Sequence, residues 1–162
     1  KANRKDRRLV ENRSGKREAV VVMRERDGST VTSVHTHEAD ALPLVPATVS
    51  RDAVIHTDEA SHWDVLHAAY DMQRINHSKT YSDGIACTNQ AASFFSRLRR
   101  MEIGTHHHIA GPYLASYARE AAWREDNRRV DNGSQLNMVV NAAMTSPVSR
   151  QWKGYWQRAD VD

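Results

Sequence analysis

The sequence predicts a mixed α/β fold in which helices cover a β-sheet. Three observations indicate this fold. A hairpin pattern occupies residues 18–36, a short apolar strand ends at the adjacent carboxylates Asp58 and Glu59, and helical patterns dominate the second half of the chain. With 162 residues, 40% of them hydrophobic and 27% charged, the chain has the length and balance of one compact domain.

The predicted hairpin joins residues 18–26 to residues 29–36. The segments AVVVMRER and STVTSVH are rich in β-branched residues, which favour strands. Between them, Asp27-Gly28 is a dipeptide typical of two-residue hairpin turns. We therefore expect two antiparallel strands at the start of the folded region.

The sequence pattern over residues 37–78 predicts a helix, a strand, a second helix and a second strand. Pro43 and Pro46 limit the first helix to a short or broken one, because proline removes a helical hydrogen bond. The apolar run AVIH forms the first strand, and a serine N-cap opens the second helix. The four predicted segments are 37–50, 52–59, 61–70 and 72–78.

Three further helices are predicted over residues 88–101, 112–127 and 134–144. In the first of them, four apolar residues recur at helical spacing on one face. Pro112 suits the first turn of the second helix, where its missing amide hydrogen costs nothing. The four apolar residues are Ala91, Phe94, Phe95 and Leu98.

Charge and cysteine content restrict the class of protein. The net charge is only +3, but the pI of about 9.2 and the distribution of the basic residues favour a polyanionic partner. Residues 1–17 form a basic arm, which is either a solvated flexible terminus or an arm that contacts phosphates. The single cysteine, Cys87, cannot form an internal disulfide, and no apolar run approaches the roughly 20 residues of a membrane span. We expect a cytoplasmic protein without a membrane partner.

The candidate active site combines a strand end with a helix. Asp58 lies where the apolar strand ends, and catalytic carboxylates of open α/β sheets gather at such ends. Asn89 comes 31 residues later, and position 92 shares its helical face one turn on. A carboxylate pair in this arrangement suits two-metal phosphoryl transfer, but position 92 is alanine.

Four segments of the chain resemble the ISXO-type insertion-sequence transposases of bacteria, in the same order and with similar spacing. The resemblance extends from about Lys16 to the end of the chain. The segments are VIHTDEASHWDVL, MQRINHSKTYSDGIACTNQAASFFSRLRR, EIGTHHHIAGPYLASYAREAAWREDNRR and PVSRQWKGYWQR.

The resemblance implies a ribonuclease-H-like catalytic domain over residues 18–162 with a DDE acidic triad and Mg²⁺ or Mn²⁺ as cofactor. Asp58 matches the second aspartate of this triad. For Asp58 the two alternative roles are metal ligand and cap of the following helix. The family motif T-N-x-x-E places its glutamate at Ala92, whereas Asn89 either contacts metal or DNA or caps the helix. No residue matches the first aspartate, which belongs to a central first strand. We therefore expect that strand to be missing from this chain, and catalysis to be impaired.

The family's partners are DNA and, on DNA, further copies of the transposase, so the resemblance implies a homo-oligomer associated with the bacterial nucleoid. We predict DNA contacts for five residues. For the arginines the alternative is a solvated helix face, and for the histidine a hydrogen-bonded loop position. The five are His77, Lys79, Arg97, Arg99 and Arg100.

Other polar and aromatic clusters have plainer interpretations. A zinc site is suggested by His106, His107 and His108, but three consecutive side chains cannot all reach one ion from regular structure. Capping or packing beneath the 112–127 helix is therefore the preferred interpretation of these histidines, and DNA contact is the alternative. The run from Trp123 to Asp126 favours packing and ion pairing over catalysis. For the aromatic tail residues Trp152, Tyr155 and Trp156, docking on the core is preferred to base stacking.

Two other functions are compatible with the sequence. A DNA-binding remnant would retain the basic contacts without the chemistry, and its affinity would fall steeply with salt. A metal hydrolase centred on residues 106–108 would contain stoichiometric zinc.

Overall fold

The computed structural model describes residues 18–75 and 88–148. The basic arm, His77, Lys79, Cys87 and the aromatic tail lie outside these residues. The chain divides into two compact units, residues 1–126 and 127–162. The predicted boundaries, an arm over 1–17 and one domain over 18–162, stay predictions.

The described part of the first unit begins with the predicted hairpin. Strands β1 (Ala19–Arg24) and β2 (Thr30–His35) pair antiparallel, with Val22 opposite Thr32. Asp27 adopts a positive φ of 55°, a conformation that aspartate tolerates better than most residues and that the turn requires. The hairpin prediction is confirmed, but the connection is longer than the two residues that Asp27-Gly28 favours, because the last paired residues are Arg24 and Thr30.

A parallel pair of strands follows. Strands β3 (Val54–Asp58) and β4 (Asp71–Ile75) are connected by a 3-10 helix at Ser61–Ala68. The N-cap of that helix is Ala60, so the predicted serine N-cap is wrong by one residue. Among the described residues, the strands form two separate two-stranded sheets, β1-β2 and β3-β4.

The helices lie close to their predicted positions. A 3-10 turn (Glu38–Ala41) and a short helix α1 (Leu44–Thr48) replace one regular helix, as the prolines predicted. Then come α2 (Asn89–Met101) and α3 (Leu114–Asp126). The second unit contains α4 (Asn132–Thr145), whose N-cap Asp131 accepts a hydrogen bond from the Ser134 amide at 3.0 Å. Nowhere in 18–75 or 88–148 is a helix both long and apolar enough to cross a membrane.

Two apolar clusters are formed by described residues of the first unit. The cluster between α2, α3 and β1 contains Phe94, which is 1% exposed, and also takes Val20 and Val22 from β1. The other cluster lies around Tyr70 and includes Met23 of β1. Because successive side chains of a strand point to opposite faces, β1 contributes to both clusters. The hairpin is thus covered on both sides, which confirms the predicted mixed α/β arrangement.

Candidate active site

Asp58 is the last residue of β3, opposite Ile75 at the end of β4. The two strands are parallel, so their carboxyl ends lie at the same end of the sheet. Asp58 is exposed, and its Oδ1 accepts a hydrogen bond from the Ala60 amide at 3.2 Å. The carboxylate therefore holds the turn into the following 3-10 helix while it stays in contact with solvent. Glu59 beside it is also exposed.

Arg74 anchors the loop that follows Asp58. Its Nη2 donates to the Ala60 carbonyl at 2.8 Å, and its Nη1 pairs with Asp64 at 2.6 Å. Both contacts tie the segment after β3 back onto β4. Sequence reasoning missed this role; the available signal was a charged residue in the middle of a short strand.

His56 lies two residues before Asp58 on β3. Burial lowers the pKa of this imidazole, the positive charge of Arg26 lowers it further, and Asp71 partly opposes both effects. The lowered pKa favours the neutral form. His56 therefore adds no positive charge beside Asp58 near neutral pH.

The first turn of α2 carries the two other predicted site positions. Thr88 occupies the N-cap position, and its carbonyl accepts from the Ala92 amide at 3.0 Å. Asn89 and Ala92 are three residues apart in this helix, and both are exposed. They share a solvent-facing surface, as the spacing predicted. The opposite face buries Phe94 and Leu98.

A buried ion-pair network fixes α2 and α3 against the hairpin. Arg24 of β1 pairs with Glu125 at 3.2 Å and with Asp126 at 3.6 Å, and its Nε donates to Gln90 at 3.2 Å. Glu125 also pairs with Arg97 of α2. Since Gln90 is adjacent to Asn89, Arg24 links the hairpin directly to the first turn of α2. Ion pairing by the end of α3 was predicted, and it is confirmed.

Asp126 also binds the second strand of the hairpin. Its carboxylate accepts hydrogen bonds from the Thr30 amide at 3.0 Å and from the Thr30 hydroxyl at 2.6 Å. Thr30 is the first residue of β2 and is buried. The last two residues of α3 thus determine where both hairpin strands lie.

The three predicted DNA-binding arginines have different surroundings. Arg97 is 45% exposed and already pairs with Glu125. The Arg99 guanidinium lies over the Phe95 ring, 5.9 Å from its centre, and Arg99 and Arg100 are both exposed. Exposed guanidinium groups on one helix suit phosphate contacts. The DNA-binding role of these residues stays a prediction.

The donor atoms at this site do not fit a two-ion magnesium centre. Such a centre needs several oxygen ligands, chiefly carboxylates. Position 92 carries a methyl group, and Asn89 offers only a neutral amide oxygen. Among residues 18–75 and 88–148, no group of three or more His, Cys, Asp or Glu side chains is placed to hold a metal ion.

The histidine run after α2 contributes to packing. A π-helical turn (Glu102–His106) extends α2, and His107 ends it with a φ of 58°. The His106 ring packs against Tyr117 of α3 with the ring centres 4.4 Å apart. This contact confirms the predicted packing against the 112–127 helix.

Comparisons with known proteins agree with these features. The family model described as "ISXO2-like transposase domain" matches residues 1–126, the same range as the first compact unit. An "Uncharacterized transposase-like protein" of Haemophilus influenzae is 26% identical over 111 residues, which cover 68% of this chain and 88% of that protein. No solved structure matches the chain. The chain belongs to the ISXO2-like transposase domain family.

Proposed function

We propose that this chain is the catalytic domain of a DDE-type transposase, and that the family activity is DNA strand cleavage and strand transfer during insertion-sequence transposition. The observation that carries the proposal is the match to the transposase family over residues 1–126, a range that contains Asp58 at the carboxyl end of β3.

A ribonuclease-H-like sheet would unite the two small sheets. Within the described residues, β1 pairs only with β2 and β3 only with β4, so each sheet has room for another strand. Met23 of β1 and Ile55 of β3 pack against the same apolar cluster, which keeps the two sheets neighbours. We infer that one further strand, the one that carries the first aspartate in the family, lies between the hairpin and the parallel pair.

The proposed role of the site is to hold Mg²⁺ or Mn²⁺ for attack on a phosphodiester by water or by a DNA 3′-hydroxyl. The carboxylate of Asp58 would be one ligand. A glutamate at position 92, as in the family motif, would be another. Because position 92 is alanine, the donors described here do not complete such a site. We therefore propose that this chain is catalytically impaired in its present form.

A DNA-binding protein without catalytic activity is the second candidate function. The methyl group at Ala92 favours it, because that change removes a ligand and leaves the exposed arginines in place. The two candidates differ in one property of the site: only the first requires Asp58 and position 92 to face one shared pocket.

Both candidates predict DNA binding through α2. We expect the Arg99→Gln/Arg100→Gln double variant to bind a labelled duplex roughly tenfold more weakly at about 0.1 M salt. The slope of log K against log salt should flatten by about one to two, because up to two phosphate contacts are lost. Fluorescence anisotropy across a salt series measures both quantities, and a gel assay of the same samples with Mg²⁺ should show no strand cleavage.

The matched control is Arg119→Gln/Arg124→Gln, which removes two charges from exposed positions on α3. This variant should keep a slope close to that of the unchanged chain. Equal slopes for the two double variants would remove the assignment of DNA contacts to α2. Cleavage by the unchanged chain would remove the assignment of Ala92 as a missing ligand.

A further inference from the structure

Ala60 makes backbone hydrogen bonds to two side chains of the candidate active site. Its amide donates to the Asp58 carboxylate at 3.2 Å, and its carbonyl accepts from the Arg74 guanidinium at 2.8 Å. Ala60 is also the N-cap of the 3-10 helix at Ser61–Ala68, with φ −63° and ψ 126°. The segment between the candidate carboxylate and that helix is therefore held at one residue by two different side chains.

The two side chains approach Ala60 from opposite faces of the β3-β4 sheet. Arg74 is paired with Thr57 in the parallel register, and paired residues of neighbouring strands point to the same face. Asp58 is the next residue after Thr57, so its side chain starts on the other face. Ala60 thus connects Arg74 on one face of the sheet with Asp58 on the other.

Arg74 is itself fixed by a second contact. Its Nη1 pairs with Asp64 at 2.6 Å while its Nη2 holds the Ala60 carbonyl, so two of the three guanidinium nitrogens are engaged. The Arg74 side chain is 29% exposed, whereas that of Asp64 is 56% exposed. Because water screens such a pair, the contact to Asp64 contributes little stability and serves mainly to orient the guanidinium.

Partial burial of Arg74 has a cost. Its Nε is buried, and no acceptor for it lies among the residues that the structure describes. A buried donor without a partner is destabilising, and an apolar side chain of similar length would avoid that cost. What the arginine adds is therefore a directed contact to the Ala60 carbonyl rather than general stability.

We propose that Arg74 is a positioning residue for Asp58, because by holding Ala60 it fixes the amide that orients the Asp58 carboxylate. An exposed aspartate exchanges among staggered χ1 rotamers unless a contact selects one. The amide bond to Oδ1 selects one rotamer and does not occupy Oδ2. A carboxylate oriented in advance loses less rotamer entropy when it binds a ligand. The inference rests on the proposed function, since this orientation matters to the reaction only if Asp58 takes part in it.

Nuclear magnetic resonance of the full chain measures the orientation of Asp58 directly. The three-bond couplings between Hα and the two Hβ protons take the values of one rotamer when it dominates, and average values when rotamers exchange. We expect single-rotamer couplings in the unchanged chain and averaged couplings in Arg74→Met. The Ala60 amide should exchange with deuterium about tenfold faster in this variant, because its hydrogen bond opens more often.

The melting temperature of the same samples separates positioning from a merely structural role. Arg74→Met removes a weak exposed pair together with the buried donor, so it should melt within about 4 °C of the unchanged chain. A structural arginine would lower the melting temperature and leave the couplings of the folded chain unchanged. Single-rotamer couplings and an unchanged Ala60 exchange rate in Arg74→Met would overturn the proposal at any melting temperature.

Two further variants test each link separately. Ala60→Pro removes the amide donor and keeps the carbonyl, and proline fixes φ at about −65°, close to the φ of −63° that Ala60 already has. Averaged couplings of Asp58 are expected here too, and single-rotamer couplings would contradict the amide link. Asp64→Asn is the control, because it keeps the bond from Arg74 to Ala60. Its couplings should match those of the unchanged chain, and averaging equal to that of Arg74→Met would contradict the carbonyl link.

The positioning role and the proposed function fail in different measurements. Averaged couplings in the unchanged chain would overturn the positioning role without bearing on whether Asp58 binds a metal ion. Failure of the Ala92→Glu variant to bind Mn²⁺ would contradict the proposed metal site and leave the rotamer of Asp58 as measured. Single-rotamer couplings in the unchanged chain that average in both Arg74→Met and Ala60→Pro are the result that we predict.

Discussion

We expect the Phe94→Ala variant to lose about 3–5 kcal/mol of unfolding free energy, the range found for large-to-small changes at buried aromatic positions. Phe94 is 1% exposed and lies in the cluster formed by α2, α3 and β1. The substitution removes the ring from a cluster of three packed elements, which cannot fully collapse into the space that it leaves. Urea denaturation of the purified chain, monitored by circular dichroism, measures the change in unfolding free energy.

Phe95→Ala provides the matched control on the same helix. Phe95 is only partly buried, at the edge of the cluster and beneath the Arg99 guanidinium. Its loss should cost about half as much or less, because part of the ring is already in water. Similar losses for the two variants would mean that α2 does not bury the face described here.

The Glu125→Gln variant should be the second most destabilised. Its carboxylate is 5% exposed and pairs with Arg24, which is 10% exposed, and with the more exposed Arg97. Without the charge of Glu125, the buried Arg24 guanidinium retains only its ion pair with Asp126. Breaking a buried pair costs about 3–5 kcal/mol, and the exposure of Arg97 reduces our expectation to about 2–3 kcal/mol.

Glu120→Gln tests the same substitution on the same helix. Glu120 pairs with Arg124 four residues later at 2.8 Å, and both side chains are more exposed. This control should lose less than about 0.5 kcal/mol. In thermal denaturation we expect the Glu125 variant to melt about 5–10 °C lower and the control to melt within about 2 °C of the unchanged chain. Equal shifts would show that the network contributes no more than a surface pair.

Local signals in the sequence predicted the secondary structure well. The Asp27-Gly28 turn and its β-branched flanks act over a few residues, and the apolar spacing of α2 repeats within one helix. Such patterns are readable because their partners lie close in the chain. Segment 61–68 was correctly expected to be helical, but propensity does not distinguish a 3-10 helix from an α-helix over so short a span.

Contacts between distant segments were not readable in this way. Arg24 meets Gln90, 66 residues away, and Thr30 meets Asp126, 96 residues away. Nothing near Arg24 in the chain marks it as the centre of a buried network. The exposure of apolar residues of α4 such as Leu136 and Val140 was equally unreadable, because periodicity shows that residues share a face and does not show what covers that face.

The candidate site was predicted in its parts. Asp58 does end a strand, and Asn89 and Ala92 do share an exposed face of α2. Arg74, which fixes the loop after Asp58, was missed because its partners lie 10 and 14 residues earlier, within a segment expected to be helical and just before it. That Asp58 and position 92 face one pocket stays a prediction.

Titration of Mn²⁺ into the Ala92→Glu variant, followed by electron paramagnetic resonance, tests that claim most directly. The signal of free Mn²⁺ falls as the ion binds, so no DNA and no activity are needed. We predict that Ala92→Glu binds Mn²⁺ at least tenfold more tightly than the unchanged chain, and that Asp58→Asn in the same variant abolishes the gain. Equal binding with and without the glutamate, or a gain that survives Asp58→Asn, would contradict a shared metal pocket.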